Sequence, residues 1–517
     1  MDLLGSGSTL WAAVESVAQW QVLGIIALSA TYGIFVGAIP GLTATMAVAL
    51  IVPLTFYLND VQAIAAIVTT VTCSIYAGDI PATLVRIPGT PASAAYAADA
   101  YSLTGQGKHV QALAVSAVFS VIGGLFGTLI LACAAPLLAS LATQFTSYEY
   151  FWLYVLGLTC AVIVSDGSLW KGVLSLLIGL LLATIGLGTD FSMPRLTFGF
   201  DELITGIGFI PAMIGLFGIS EVLRNVLYLQ PAVGDVPRPP AAPGGGLRVI
   251  FQTVLPLAWR RKFHLARSSC IGALVGMLPG AGADIAAWIS YAVSKRLSPK
   301  PEEYGQGSLE GLGDATGANN AALGGAWIPA LVFGIPGDSV TAIAIGVLLM
   351  KNITPGPGIF DASQHPQQAA LVTSIYVTFV LANLLLLPLG LLAIRGGSLL
   401  IRIPRRILLP LIVLFCTLGS YAMSGSYFDV LVMLAMGLFG FVLERRRVPL
   451  GPIVLGLIMG GQLEHRFLQC LSKSTEIGTF FASPISLLLG STCLGLWLVP
   501  VLLRRVSLKR AGEHLSQ

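Results

Sequence analysis

The sequence predicts an all-α polytopic membrane protein with about 12 to 14 transmembrane or re-entrant helices, in two repeats of inverted topology with paired helical hairpins. Three observations lead there. Of 517 residues, 55% are hydrophobic and only 10% are charged, against roughly 25% charged in soluble domains. Apolar stretches long enough to cross a bilayer, about 17–25 residues each, recur from Gln19 to Leu503. Two Pro-Gly motifs return in the same order in the second half. Backbone groups must be satisfied internally in lipid, so these segments are helices; no strand-like alternation of an outer-membrane barrel occurs.

Taken in order, the first apolar segment is accompanied only by Asp2 and Glu15 and is followed by no small-residue cleavage site, so it reads as an anchor rather than a secretory signal. The first membrane repeat, with its Pro-Gly hairpin, is placed at 1–229. A Pro/Gly-rich, then basic linker follows at 230–265, expected to be irregular, solvated and cytoplasmic because Arg260, Arg261, Lys262 and Arg267 obey the positive-inside rule. The second membrane repeat takes 266–503, and a basic cytoplasmic tail takes 504–517. Basic runs at Arg402 to Arg406, Glu444 to Arg447 and Leu503 to Arg510 follow every second predicted span, which puts the C-terminus in the cytoplasm.

The repeat rests on two pairs of motifs. "GAIPG" (Gly37 to Gly41) pairs with "GMLPG" (Gly276 to Gly280) at an offset of 239, and "IPATLVRIPGTP" (Ile80 to Pro91) pairs with "IPALVFGIPGDS" (Ile328 to Ser339) at an offset of 248. The extra residues fall in the polar stretch 298–317. An acidic N-terminus outside and a basic start to the second repeat inside give the halves opposite orientations, as in many secondary transporters.

Pro removes a backbone donor and Gly frees the backbone, so Pro-Gly within an apolar stretch breaks a helix at membrane depth. The four breaks are Pro40-Gly41, Pro88-Gly89, Pro279-Gly280 and Pro336-Gly337. Half-helix N-termini can face an anion there, and freed carbonyls can take a cation. Polar residues follow the breaks: Thr43 and Thr45, Thr90 and Ser93, Asp284, and Asp338, Ser339 and Thr341. They form a candidate substrate and ion pocket, with a transient Na⁺ site near Asp338; the competing reading is close helix packing and bonding to their own backbone. Asn319 and Asn320 stand ahead of an apolar run and can bind a ligand of either sign, unless one is an N-cap with a solvated neighbour. Asp79, Arg86, Asp99 and Asp338 are ionisable and costly at that depth. Arg86 either faces an anionic substrate or pairs with Asp79 or Asp99. Gly123, Gly124 and Gly127 are read as points of close helix approach.

Seven cysteines are scattered singly, as are five histidines, so no metal or redox site is indicated. No phosphate-binding loop or nucleophile–base set stands out; the chain is not expected to be an enzyme or to need a cofactor. The formal net charge of +4 sits in loops and concerns orientation, not a nucleic-acid partner.

"GAIPGLTATMAVALIVPLTF", "IPATLVRIPGTPASAAYAADAYSLTGQGK", "ANNAALGGAWIPALVFGIPGD" and "GPIVLGLIMGGQLE" resemble the large permease subunit of tripartite tricarboxylate transporters, the TctA type, over nearly the whole chain. The resemblance implies a bacterial inner-membrane importer of a small carboxylate, driven by Na⁺ or H⁺. A small TctB-like membrane subunit and a periplasmic TctC-like solute-binding protein would be its partners. It also implies site residues at the four Pro-Gly breaks and at Asn319 and Asn320. The chain departs from the family pattern with Ala77-Gly78-Asp79 and Arg86 in place of a Gly-Gly-Ser run and an Asn, and with Thr316 in place of an acidic residue. Citrate is therefore not carried over as the substrate. The alternatives are a channel, whose breaks would form a filter, and a scaffold subunit.

Overall fold

The computed structural model describes residues 7–165, 168–188, 193–227, 246–400 and 405–498. These are overwhelmingly helical, and the only sheet among them is an antiparallel pair of two-residue strands, β1 (Gly186–Leu187) and β2 (Pro194–Arg195). Seven helices among them are long and apolar enough to cross a bilayer, accompanied by five shorter apolar helices. The chain is an all-α, multi-pass membrane protein.

The helices run α1 (Gly7–Ala18), α2 (Trp20–Gly37), α3 (Ala44–Thr55), α4 (Asp60–Ala77), α5 (Asp79–Val85), α6 (Ala97–Gly105) and α7 (His109–Ala142). Next come α8 (Ser147–Val164), α9 (Leu169–Ala183), and α10 (Phe209–Met213) and α11 (Ser220–Leu227), joined by a π-helical turn. Then follow α12 (Gly246–Val249), α13 (Leu255–Arg260), α14 (Lys262–Gly276), α15 (Gly282–Leu297), α16 (Leu309–Phe333), α17 (Ser339–Met350) and α18 (Pro366–Leu400). Then come α19 (Arg405–Ser424), α20 (Tyr427–Arg445) and α21 (Gly451–Lys473), followed by the short apolar helix Pro484–Leu498.

The described residues form two compact units, one from those within 1–143 and 207–450, the other from those within 144–206 and 451–517. In the second, α9 lies on α21 so closely that a Cβ at Gly179 would stand 2.2 Å from the Ile453 carbonyl oxygen. Arg195 there pairs with Glu464 at 2.7 Å, and Trp152 Nε1 donates to the Phe480 carbonyl at 2.7 Å.

The first unit holds all four Pro-Gly breaks. Its helices start where side chains can accept their first free amides. Asn59 and Gln62 form a capping box on α4, Thr43 caps α3, and Ser308 caps α16. Small residues set how its helices pack. A Cβ at Gly33 or Gly37 would lie 2.6 or 2.4 Å from the carbonyl oxygens of Thr70 or Ser74, so α2 touches α4 backbone to backbone. At Gly272 and Gly276 the clashes would be 2.2 Å, onto Ala318 and Ala322, where α14 meets α16. Gly33 and Gly272 are 239 apart, as are Gly37 and Gly276; Thr70 and Ala318 are 248 apart, as are Ser74 and Ala322. The same contacts thus recur at the two sequence offsets. Gly123 and Gly127 press α7 onto α16 at the Gly317 and Ala321 carbonyls, the close approach expected of them.

Two local expectations change. The described part of the linker is helical rather than irregular: α12, a π-helical turn (Ile250–Val254) and α13 run into α14. Ile250, Val254 and Ala258, at helical spacing, are buried against α7 residues such as Val115 and Val118. Asn319 and Asn320 do not precede a helix; they lie in the middle of α16, whose cap is Ser308. The helix starts early because Gly305 to Ser308 is tied down by Asp99, which accepts from the amides of Gly305, Gly307 and Ser308 at 2.7–2.8 Å. The remainder of the linker and the tail 504–517 lie outside the described residues.

Candidate functional site

Each break has a helix end before it and a new helical turn after it. α2 ends at Gly37, and Pro40-Gly41 turns the chain with Gly41 at φ +89° before α3. α14 ends at Gly276, and Pro279-Gly280 turns it with Gly280 at φ +81° before α15. Both positions require the left-handed conformation that glycine adopts without penalty.

The two Ile-Pro-Gly hairpins share their geometry. Arg86 at φ 57° and Gly334 at φ 69° end α5 and α16 in the left-handed region, 248 residues apart. The following amide closes back on the helix in both cases, Ile87 to the Pro81 carbonyl at 3.3 Å and Ile335 to the Pro329 carbonyl at 3.2 Å. Beyond the Pro-Gly pair, Thr90 and Ser93 cap each other reciprocally through side chain and amide, at 3.1 and 3.2 Å. Asp338 and Thr341, at the same offset, do the same at 2.9 and 2.8 Å. Asp338 is thus the N-cap of α17, and Ser339 is that helix's first, half-buried residue.

The halves differ at one point. Gly78 interrupts the first hairpin helix and separates α4 from α5, whereas its counterpart Ala326 lets α16 run unbroken, in keeping with the helix propensities of the two residues. The Gly89 amide donates to the Gly78 carbonyl at 3.1 Å, and the Gly280 amide donates to the Gly337 carbonyl at 2.8 Å.

These contacts join the breaks. A Cβ at Gly89 would meet the Gly37 carbonyl oxygen at 3.1 Å, and one at Gly337 would meet that of Gly276 at 2.9 Å, so each hairpin tip rests on the end of the preceding break's helix. The two pairs are joined in turn: Asp284 accepts from the Ala92 amide at 3.0 Å, and Trp288 Nε1 donates to the Pro91 carbonyl at 3.2 Å.

Other expected residues are more local. Thr43 caps α3 through the Met46 amide at 3.2 Å, and Thr45 is half-buried in its first turn. Arg86 is exposed at the hairpin tip and forms no ion pair among the described residues, so neither Asp79 nor Asp99 is its partner. Asp79 instead accepts from the Tyr96 hydroxyl at 2.5 Å and from the Ser116 hydroxyl. The Asn319 side chain lies close to that same Tyr96. Asn319 Oδ1 and both polar atoms of Asn320 are buried without a protein partner. In a native interior such unspent hydrogen-bonding capacity calls for an explanation, and a ligand supplies one. Tyr96, Ser116 and Asn225, whose Nδ2 donates to the Gly41 carbonyl at 3.2 Å, were not singled out from the sequence. Tyr96 alone left a trace, as the one bulky residue in "PASAAYAADA".

An all-helical membrane protein whose broken helices rest on one another in this way falls in the class of membrane transport proteins. Residues 23–455 match the Tripartite tricarboxylate transporter TctA family, and the chain belongs to that family. It is 34% identical over 486 residues, 93% of each chain, to the "Uncharacterized 52.8 kDa protein in TAR-I ttuC' 3'region" of Agrobacterium vitis. It is 37% identical over 233 residues, 45% of this chain and 93% of the other, to the "Uncharacterized protein in TAR-II ttuC' 3'region" of the same organism. No solved structure matches the chain.

Proposed function

We propose that this chain is the large permease subunit of a binding-protein-dependent tripartite secondary transporter, resident in the bacterial inner membrane with a cytoplasmic C-terminus, that imports a small carboxylate using an H⁺ or Na⁺ gradient. The observation carrying this reading is the matched pair of broken hairpins, with Asn319 Oδ1 and both side-chain polar atoms of Asn320 buried without a protein partner in the second. Helix N-termini after the breaks carry partial positive charge suited to carboxylate groups, and the buried amides add donors and acceptors. Halves of opposite orientation would let the hairpins alternate between the two sides, in an elevator-like movement. A small TctB-like membrane subunit and a periplasmic TctC-like solute-binding protein complete the assembly.

The test is uptake into proteoliposomes of the permease with its small subunit, using a panel of labelled C4 and C6 di- and tricarboxylates. Accumulation of one of them that requires both the binding protein and an imposed cation gradient is the expected result. Accumulation indifferent to the binding protein would refute the tripartite assignment.

A further inference from the structure

We propose that Asp79 is the proton-carrying group of this transporter: a membrane-buried carboxylate that takes up a proton from one side of the membrane and releases it to the other as the first hairpin moves. The proposal rests on the carrier reading above and deepens it by naming the coupling ion and its site.

Asp79 opens α5 directly after the Gly78 break, within a run of residues, 63–84, that are all buried. A carboxylate at bilayer depth costs about 3 kcal/mol even on insertion scales, and such groups ordinarily find a cation. None is present. α5 packs against α4, α6, α7 and α18. From these and the turn before α6, the titratable groups are Asp60, Cys73 and Tyr76 of α4, Tyr96, Asp99 and Tyr101, His109 and Cys133 of α7, and Tyr376 and Arg395 of α18, with Asp284 exposed beyond Tyr96. Asp79 makes no ion pair with any of them. Asp99 is engaged by three backbone amides and the Tyr291 hydroxyl. The partners Asp79 does have are two hydroxyls, one on each oxygen.

Hydroxyls both donate and accept, so this cluster accommodates either protonation state without moving its heavy atoms. With Asp79 ionised, Tyr96 and Ser116 both donate to it. With Asp79 protonated, its O–H donates to one hydroxyl oxygen, and that hydroxyl turns its own proton to a backbone carbonyl. The only bond made or broken is O–H: hydronium gives its proton to the carboxylate on the loading side and water recovers it on the other. Hard cations take about six oxygen ligands, and here the two hydroxyl protons already point at the carboxylate. The cluster also spans the parts that must communicate. Asp79 belongs to the hairpin, Ser116 to α7, and Tyr96 lies close to Asn319 of the second half, whose buried Oδ1 is unpartnered.

The direct test uses protons alone as the probe: pH-stepped infrared difference spectra of the full chain in liposomes, read at the carboxylic-acid C=O stretch. A band that titrates in the wild type, disappears in Asp79→Asn and changes its midpoint in Ser116→Ala or Tyr96→Phe is expected. The two hydroxyl variants leave the carboxyl in place, so they report even if Asp79→Asn fails to insert. A spectrum unchanged across all three variants overturns the proposal. In transport, Asp79→Asn is expected to keep substrate exchange while losing at least tenfold of the accumulation driven by a pH gradient. Wild-type accumulation driven by Na⁺ with no accompanying proton movement would overturn it too. If the wild type shows no substrate exchange at all, the carrier reading fails, and the infrared titration still decides the proton site.

Discussion

Asn319 and Asn320 carry the most consequence at the level of single residues, because function and stability pull apart there. Three of their polar atoms are buried without a partner, so replacing both residues by alanine breaks no protein hydrogen bond to those atoms and removes a desolvation penalty of about 1–3 kcal/mol per group. The double alanine variant is expected to insert with thermal stability close to the wild type while uptake falls at least tenfold; uptake that survives it removes their substrate role. Asp314 behaves in the opposite way. It is fully buried, and its Oδ2 accepts from Arg267 at 2.8 Å, Arg261 at 3.2 Å and Ser294 at 2.6 Å. Asp314→Ala strands the Arg267 guanidinium and leaves Arg261 with Glu310 alone, and is expected to destabilise by about 3 kcal/mol, read as a lower melting temperature in detergent. An unchanged melting temperature would show that this network contributes nothing.

At the scale of elements, the positions of the helix breaks were legible in the sequence because Pro and Gly act locally, through one missing donor and one permitted left-handed turn. What those breaks rest on was not. The seat of Gly89 on Gly78 and Gly37, and the hydroxyls that hold Asp79, are contacts between segments that no local pattern announces. Asn319 was misplaced for a related reason: the Gly-rich start of α16 looks like a loop, and only the distant Asp99 carboxylate makes the segment before it a capped helix start. The packing of these elements predicts steep sensitivity at the repeated glycines. Valine at Gly37 or Gly276 would drive a Cβ to 2.4 or 2.2 Å from a backbone oxygen, so each is expected to abolish uptake and lower the melting temperature. Gly105→Ala, with nothing within 4 Å of its added Cβ, is expected to do neither.

For the whole molecule, composition and apolar segment length sufficed for an all-helical membrane protein, since lipid leaves few alternatives. Opposite orientation of the halves is a stronger claim and has its own check. Gln106 and Thr354 are exposed and 248 residues apart; in a cysteine-free background, single cysteines there are expected to react with an impermeant thiol reagent from opposite faces of the membrane, and labelling from one face contradicts inversion. The central claim, that the paired hairpins form a carrier, is tested most directly by counterflow. Proteoliposomes loaded with unlabelled carboxylate are given a trace of the labelled solute outside. The account predicts transient accumulation of label above equilibrium, lost in Gly89→Val and Gly337→Val; label that only equilibrates in the wild type, at whatever rate, would contradict it and point to a channel.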